Sequence, residues 1–187
     1  IDAYLSTSGG LDAAPQALVI TGDTVVGFAT GDVDGDGLKD LLIGQPAAAT
    51  VRAYLGSDNS WLTANGLVES FTVQGPVGQL QFGWALAADG DVTGDGIHDL
   101  VVSAYGGGGT VNLYDSAGTY RSNPATPPLQ TISGQPASAV AGDTHGDQLG
   151  VKLALGHLDT DNYADIAIGA NRAGAADEGQ VRILHGS

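Results

Sequence analysis

Three short acidic loops hold the side chains best suited to chemistry. The first runs Asp32-Val-Asp34-Gly-Asp36-Gly-Leu38-Lys-Asp40, with carboxylates at positions 1, 3, 5 and 9 and the Leu38 carbonyl at position 7. That is a shell of hard oxygens. Calcium takes about 6–8 oxygens at roughly 2.3–2.6 Å in a forgiving geometry, so the donor set suits it. Gly35 and Gly37 let the chain turn sharply through positive φ. Without a cation, four carboxylates in so short a stretch repel one another. The second loop, Asp91-Val-Thr93-Gly-Asp95-Gly-Ile97-His-Asp99, keeps three carboxylates and places the Thr93 hydroxyl at position 3. The third, His157-Leu-Asp159-Thr-Asp161-Asn-Tyr163-Ala-Asp165, opens on an imidazole, a poor ligand for a hard cation. There Asn162 is expected to adopt the left-handed conformation of Gly37 and Gly96, and either the remaining Asp residues and the Tyr163 carbonyl bind more weakly or His157 turns outward and water substitutes. The expected complement is two to three calcium ions.

An EF-hand begins in the same way, but it requires a bidentate Glu at position 12 and flanking helices. Position 12 is Ile43, Val102 or Ile168, and the segments that follow read Leu-Leu-Ile-Gly, Leu-Val-Val-Ser and Ile-Ala-Ile-Gly. These are short and β-rich, which excludes a helix.

The elements around the loops repeat. Asp32, Asp91 and His157 occupy one repeat position, giving a period of 59 and then 66 residues. After each loop comes an apolar strand, then a second beginning Val51-Arg-Ala-Tyr, Val111-Asn-Leu-Tyr or Val181-Arg-Ile-Leu. The chain opens on a fourth version of that strand, Ile1-Asp-Ala-Tyr. A further short segment precedes the first strand of each unit, at 17–23, 67–75 and 129–135. Four short antiparallel strands per repeat make an all-β protein built of β-propeller blades. One partial propeller domain is expected over 1–187. Residues 1–25 end a preceding blade as its last two strands, 26–80 and 81–148 are blades, and 149–187 is an incomplete one.

The unit resembles the FG-GAP repeat of integrin α-subunits. The resemblance rests on Phe82-Gly83, the Gly-Asp-Val-x-Gly-Asp-Gly loops, and the runs Leu41-Leu-Ile-Gly-Gln-Pro46 and Ile166-Ala-Ile-Gly-Ala170. Copies one and three depart from it, reading Gly27-Phe28 and Leu149-Gly150. The resemblance implies a calcium-stabilised binding or adhesion module at the cell surface or outside the cell, and not an enzyme. It places the calcium loops on one face and ligands on the opposite one, here residues 45–50, 104–109 and 170–179. A closed propeller needs about four to eight blades, so the partners expected are further blades or chains, or a protein ligand. Two alternatives stand beside this: a lectin-like carbohydrate-binding propeller, and an accessory domain of a secreted hydrolase.

Composition narrows the field. With 21 acidic against 6 basic residues, a net charge of −15 disfavours nucleic acid and anionic membrane as partners. No Cys is present, so disulfides and thiol chemistry are excluded. No apolar run is long enough to insert in a bilayer. Starting at Ile1 and lacking Met, the chain reads as a processed or excised piece. Lys39 and His98 share a repeat slot and are expected to face solvent, while His185 takes the slot of Leu55 and Asp115. Trp84 reads as packing between blades. Trp61 reads as a cap over the blade edge, or as a platform for a sugar or a partner, and Asp143-Thr-His145 is a polar turn with the makings of a second cation site.

Overall fold

The computed structural model describes residues 24–56, 69–135, 146–174 and 178–187 in full, and six two-residue strands elsewhere by backbone alone. Trp61, Asp143 and His145 lie outside the described residues.

The architecture is a partial β-propeller, made of blade-like antiparallel sheets with no helix among the described residues. At the N-terminus β1 (Asp2–Ala3) pairs with β4 (Gln16–Ala17), and β2 (Ser6–Thr7) pairs with β3 (Gly10–Leu11) between them. The first four-stranded sheet comprises β5 (Gly27–Gly31), β6 (Asp40–Gln45), β7 (Thr50–Tyr54) and β10 (Phe71–Gln74), hydrogen-bonded in that spatial order. Within the connection from β7 to β10, β8 (Leu62–Thr63) and β9 (Gly66–Leu67) form a small hairpin of their own. The second sheet orders β11 (Phe82–Ala87), β12 (Leu100–Ala104), β13 (Thr110–Tyr114) and β14 (Gln130–Ser133). The third has three strands, β15 (Leu149–Gly156), β16 (Asp165–Ala170) and β17 (Gln180–Leu184).

Alternation along each strand explains how the sheets stack. On β12, Leu100 and Val102 pack with Val33, Leu42 and Val73 towards the first sheet, while Val101 joins Val111, Ile166 and Ile168 towards the third. Both faces of the middle sheet are therefore covered, and β12 is buried along its whole length. Tyr114 and Tyr120 are buried in the first interface, each against a second aromatic ring, Phe82 for Tyr114 and Phe71 for Tyr120.

Glycines set the closest approach between sheets. A Cβ at Gly44 would fall 1.9 Å from the Gly83 carbonyl oxygen of the next sheet, and one at Gly150 would lie 2.6 Å from Ser103 Cβ. Gly83 and Gly150 both have positive φ (92° and 88°), and β11 and β15 shift register just after Phe82 and Leu149. Leu149-Gly150 is thus the structural equivalent of Phe82-Gly83. Gly27-Phe28 is not: Gly27 lacks positive φ and β5 pairs with β6 without a shift. Gly169 occupies the β16 position that matches Gly44 on β6, yet among the described residues the nearest atoms to a Cβ there belong to Val151 and Lys152 of its own sheet. A groove of about 450 Å³ lies over it, lined by Val151, Asn171, Gln180 and Val181 among others.

Candidate metal centres

Each acidic loop joins the first strand of a sheet to the second, and the three loops line up at one end of the stack. The side chain at position 7 of one loop sits on position 4 of the loop before it. Ile97 covers Gly35, and the Tyr163 ring covers Gly94 so closely that a Cβ there would fall 2.1 Å from the ring.

Loops one and two share one hydrogen-bond plan. Asp32 accepts from the amides of Gly35 (2.8 Å) and Gly37 (2.9 Å), and Asp91 from those of Gly94 (2.6 Å) and Gly96 (2.8 Å). Position 5 accepts from position 7, Leu38 to Asp36 and Ile97 to Asp95, both at 2.8 Å. Positive φ at Gly35, Gly37, Gly94 and Gly96 (78°, 90°, 80° and 91°) bends both backbones alike.

Position 9 is buried in all three loops and ties the loop to the end of the third strand. Asp40 accepts from the Val33 amide at 2.8 Å and the Gly56 amide at 2.7 Å. Asp99 accepts from Val92, Thr93 and Ser116 at 2.8, 2.9 and 3.1 Å, and Asp165 from Leu158 and Gly186 at 2.6 and 3.3 Å. Gly56, Ser116 and Gly186 fill one repeat slot. Sequence spacing presented these Asp residues as metal ligands alone and missed this stapling role.

Metal-capable side chains converge at all three loops, as three carboxylates in the first two and as Asp159, Asp165 and His185 in the third, though not as complete sets. Ligand-capable oxygens of Asp32, Asp34 and Asp40 lie within 4.8 Å of one another, with Asp36 outside that group. In loop two the converging carboxylates are Asp95, Asp99 and Asp115, with Asp91 outside, and Thr93 places its hydroxyl 3.5 Å from Asp99 Oδ1. Asp115 lies beyond the loop, just after β13, and sequence reasoning did not name it as a ligand. The signal was its repeat slot, shared with Leu55 and His185. Burial pushes the Asp40 carboxyl up to about 6, helped by Asp34 and Asp36 and opposed by the Gly56 and Val33 amides. Burial raises Asp99 too, against the amides it accepts from. Hard-oxygen groups whose charge lacks a counterion fit a divalent cation, and calcium in these two loops would neutralise them.

Loop three is built differently. Asn162 does not take the left-handed conformation expected of it: among the described residues only Ala49, Gln81 and Gln148 have positive φ without being glycine. Its neighbour Thr160, in the slot of Gly35 and Gly94, does not either. His157 turns inward, with Nδ1 2.8 Å from the Tyr163 carbonyl oxygen. His185 reaches in from the end of β17, its Nδ1 3.0 Å from Asp159 Oδ2 and 3.1 Å from Asp165 Oδ1. Asp161 accepts the Tyr163 amide at 2.9 Å, and Asp165 is held below the ordinary carboxylate range by the Leu158 amide first, then Gly186 and His185.

Lys39 is exposed, as expected, and His98 partly so, and both also bridge the sheets. Lys39 pairs with Asp89 of the second sheet, and His98 Nδ1 lies 3.3 Å from Lys39 Nζ and 3.4 Å from Asp89. The Lys39 amine holds Asp89 below its usual carboxylate range. Trp84 stacks on Tyr105 of its own sheet, centroids 4.6 Å apart, and borders a groove with Phe28 and Lys152 from the flanking sheets.

Comparison with known proteins agrees with this geometry. The FG-GAP repeat family matches residues 82–119, which span β11, the second acidic loop, β12 and β13. This is an FG-GAP repeat chain of the integrin α-like family. Integrin alpha pat-2 of Caenorhabditis briggsae is 30% identical over 85% of this chain, and integrin alpha-PS2 of Drosophila melanogaster is 31% identical over 92% of it. The phosphatidylinositol-glycan-specific phospholipase D of Dictyostelium discoideum is 26% identical over 83%. The FG-GAP chain spans only 13%, 12% and 19% of the lengths of these three relatives.

Proposed function

We propose that this chain is a calcium-stabilised binding or adhesion module, extracellular or at the cell surface, that works within a larger propeller or a multi-chain assembly and performs no catalysis itself. The observation that carries the reading is the common geometry of loops one and two. Matching backbone bends and the same capping of positions 4 and 6 by the position-1 carboxylate, with three carboxylates converging at each loop, sit at one end of the stacked sheets. Asp32, Asp34, Asp36 and Asp40 with the Leu38 carbonyl would hold one ion. Asp91, Thr93, Asp95, Asp99 and the Ile97 carbonyl, joined by Asp115, would hold another. The ion supplies charge neutralisation that fixes the turns, so that loops at the other end of the sheets (45–50, 104–109 and 170–179) present a fixed surface to a protein partner. The integrin relatives support the adhesion role. Native mass by light scattering, measured with calcium and after chelation, tests the reading. An assembly or compact form that depends on calcium supports it, and a calcium-indifferent monomer overturns it.

The phospholipase relative favours a second reading, an accessory domain of a secreted hydrolase. The parent reading frame decides between them, because a catalytic domain on the same polypeptide would favour the second.

A further inference from the structure

We propose that the third loop is closed by two histidines of this chain in place of a metal ion, so that the protein takes two calcium ions rather than three. This rests on the calcium reading of loops one and two and adds to it.

Three features of loop three remove what a calcium ion would need. The position-1 carboxylate is gone, and the imidazole there uses Nδ1–H on the Tyr163 carbonyl, the oxygen a calcium ion would take at position 7. A neutral imidazole keeps one acceptor nitrogen, so His157 cannot gather two loop amides as Asp32 and Asp91 do. The backbone does not follow the calcium-ready bend, since neither residue 160 nor residue 162 has positive φ. Finally, the space between the two remaining inward carboxylates is spanned by His185, which approaches Asp159 and Asp165 at 3.0 and 3.1 Å.

The same residues explain how the turn holds without an ion. His157 ties position 1 to position 7 across the mouth of the loop. His185 ties position 3 to position 9 and anchors both to the end of β17, whose next residue, Gly186, also donates to Asp165. In the first sheet this slot holds Leu55, which has no donor or acceptor side chain, and in the second it holds Asp115, which adds an oxygen. One repeat position therefore sets each loop's chemistry: neutral in the first, anionic in the second, nitrogen-bearing in the third.

Calorimetric titration of the intact chain with calcium, paired with amide hydrogen exchange of each loop, tests this. Two ions are expected, with chelation accelerating exchange in residues 32–40 and 91–99 but not in 157–165. A combined variant, His157→Asp, Thr160→Gly, Asn162→Gly and His185→Leu, should gain a third ion. His185→Leu alone, in chelator, should speed exchange in 157–165 by about ten-fold or more, the scale of losing a bond to a charged group. Three ions in the unaltered protein, chelator-sensitive exchange in loop three, or a combined variant that still takes two would each overturn the proposal. No bound ion at all would sink the calcium reading instead, and the His185→Leu exchange result would still decide the closure by histidine.

Discussion

The Ala164 amide donates to the Asp91 carbonyl at 2.7 Å, just as the His98 amide donates to the Asp32 carbonyl at 3.1 Å. Position 8 of one loop thus bonds to position 1 of the loop before it. With the Ile97–Gly35 and Tyr163–Gly94 contacts, this makes the three turns one mechanical unit rather than three separate ones.

Calcium removal should therefore be felt across the domain. At a free concentration of about 100 times the dissociation constant, one site adds about 2.7 kcal/mol, so two add about 5 kcal/mol. For a chain of this size that is a melting shift on the order of 10–20 °C. Calorimetric scans in calcium and in chelator measure it, and coincident scans would refute metal stabilisation.

The two kinds of loop glycine should respond unequally to alanine. At Gly37 φ is +90° and a Cβ meets nothing within 4 Å, so the cost is backbone strain of about 1–2 kcal/mol. At Gly94 the strain is similar, but the Cβ also strikes the Tyr163 ring, raising the expected loss to about 2–4 kcal/mol. Urea unfolding of Gly37→Ala and Gly94→Ala in chelator compares them, and the double variant with Tyr163→Ala should recover part of the Gly94 loss.

Asp99 should matter to folding even without metal. Replacing it by Ala strands the amides of Val92, Thr93 and Ser116, at about 1–3 kcal/mol for each buried donor left unpaired. A loss above 3 kcal/mol in chelator is expected for Asp99→Ala. Asp36→Asn, at an exposed position, should cost under about 1 kcal/mol in chelator and show its effect on calcium affinity.

Tyr120 gives the fold an alkaline limit. The ring is buried, its hydroxyl 2.8 Å from Ser116 Oγ, and burial raises its ionisation well above that of a free phenol. The folded state resists ionisation while the unfolded chain titrates near about pH 10. Stability is therefore whole below that pH and declines as pH rises beyond it. Urea midpoints from pH 8 to 11 should fall above pH 10, and less steeply in Tyr120→Phe.

Legibility in the sequence followed what is local. The loops, the strands that flank them and the blade count are periodic along the chain, and each is visible as spacing. Extent was harder: Leu67 sat in the expected closing strand, yet it pairs with Leu62 in a separate hairpin, and β10 begins at Phe71. Long-range partners were harder still. Asp115 and His185 enter loops that lie 16 and 20 residues or more away in sequence, and only the fold of the third strand brings them there. Asn162 misled because a side chain able to adopt positive φ does so only where the rest of the turn requires it, and loop three, with Thr160 in the slot of Gly35 and Gly94, takes another path.

The unfilled slot at Gly169 gives the stack a polarity. Each sheet presents a small-residue seat on one side, at Gly44, Ser103 and Gly169, and the second and third sheets bring a left-handed glycine to the seat before them. The first sheet, with no such glycine on β5, lacks the matching key. Two copies of this chain joined head to tail would therefore not repeat that fitting at β5, where Gly27 lacks positive φ and the pairing with β6 runs without a shift.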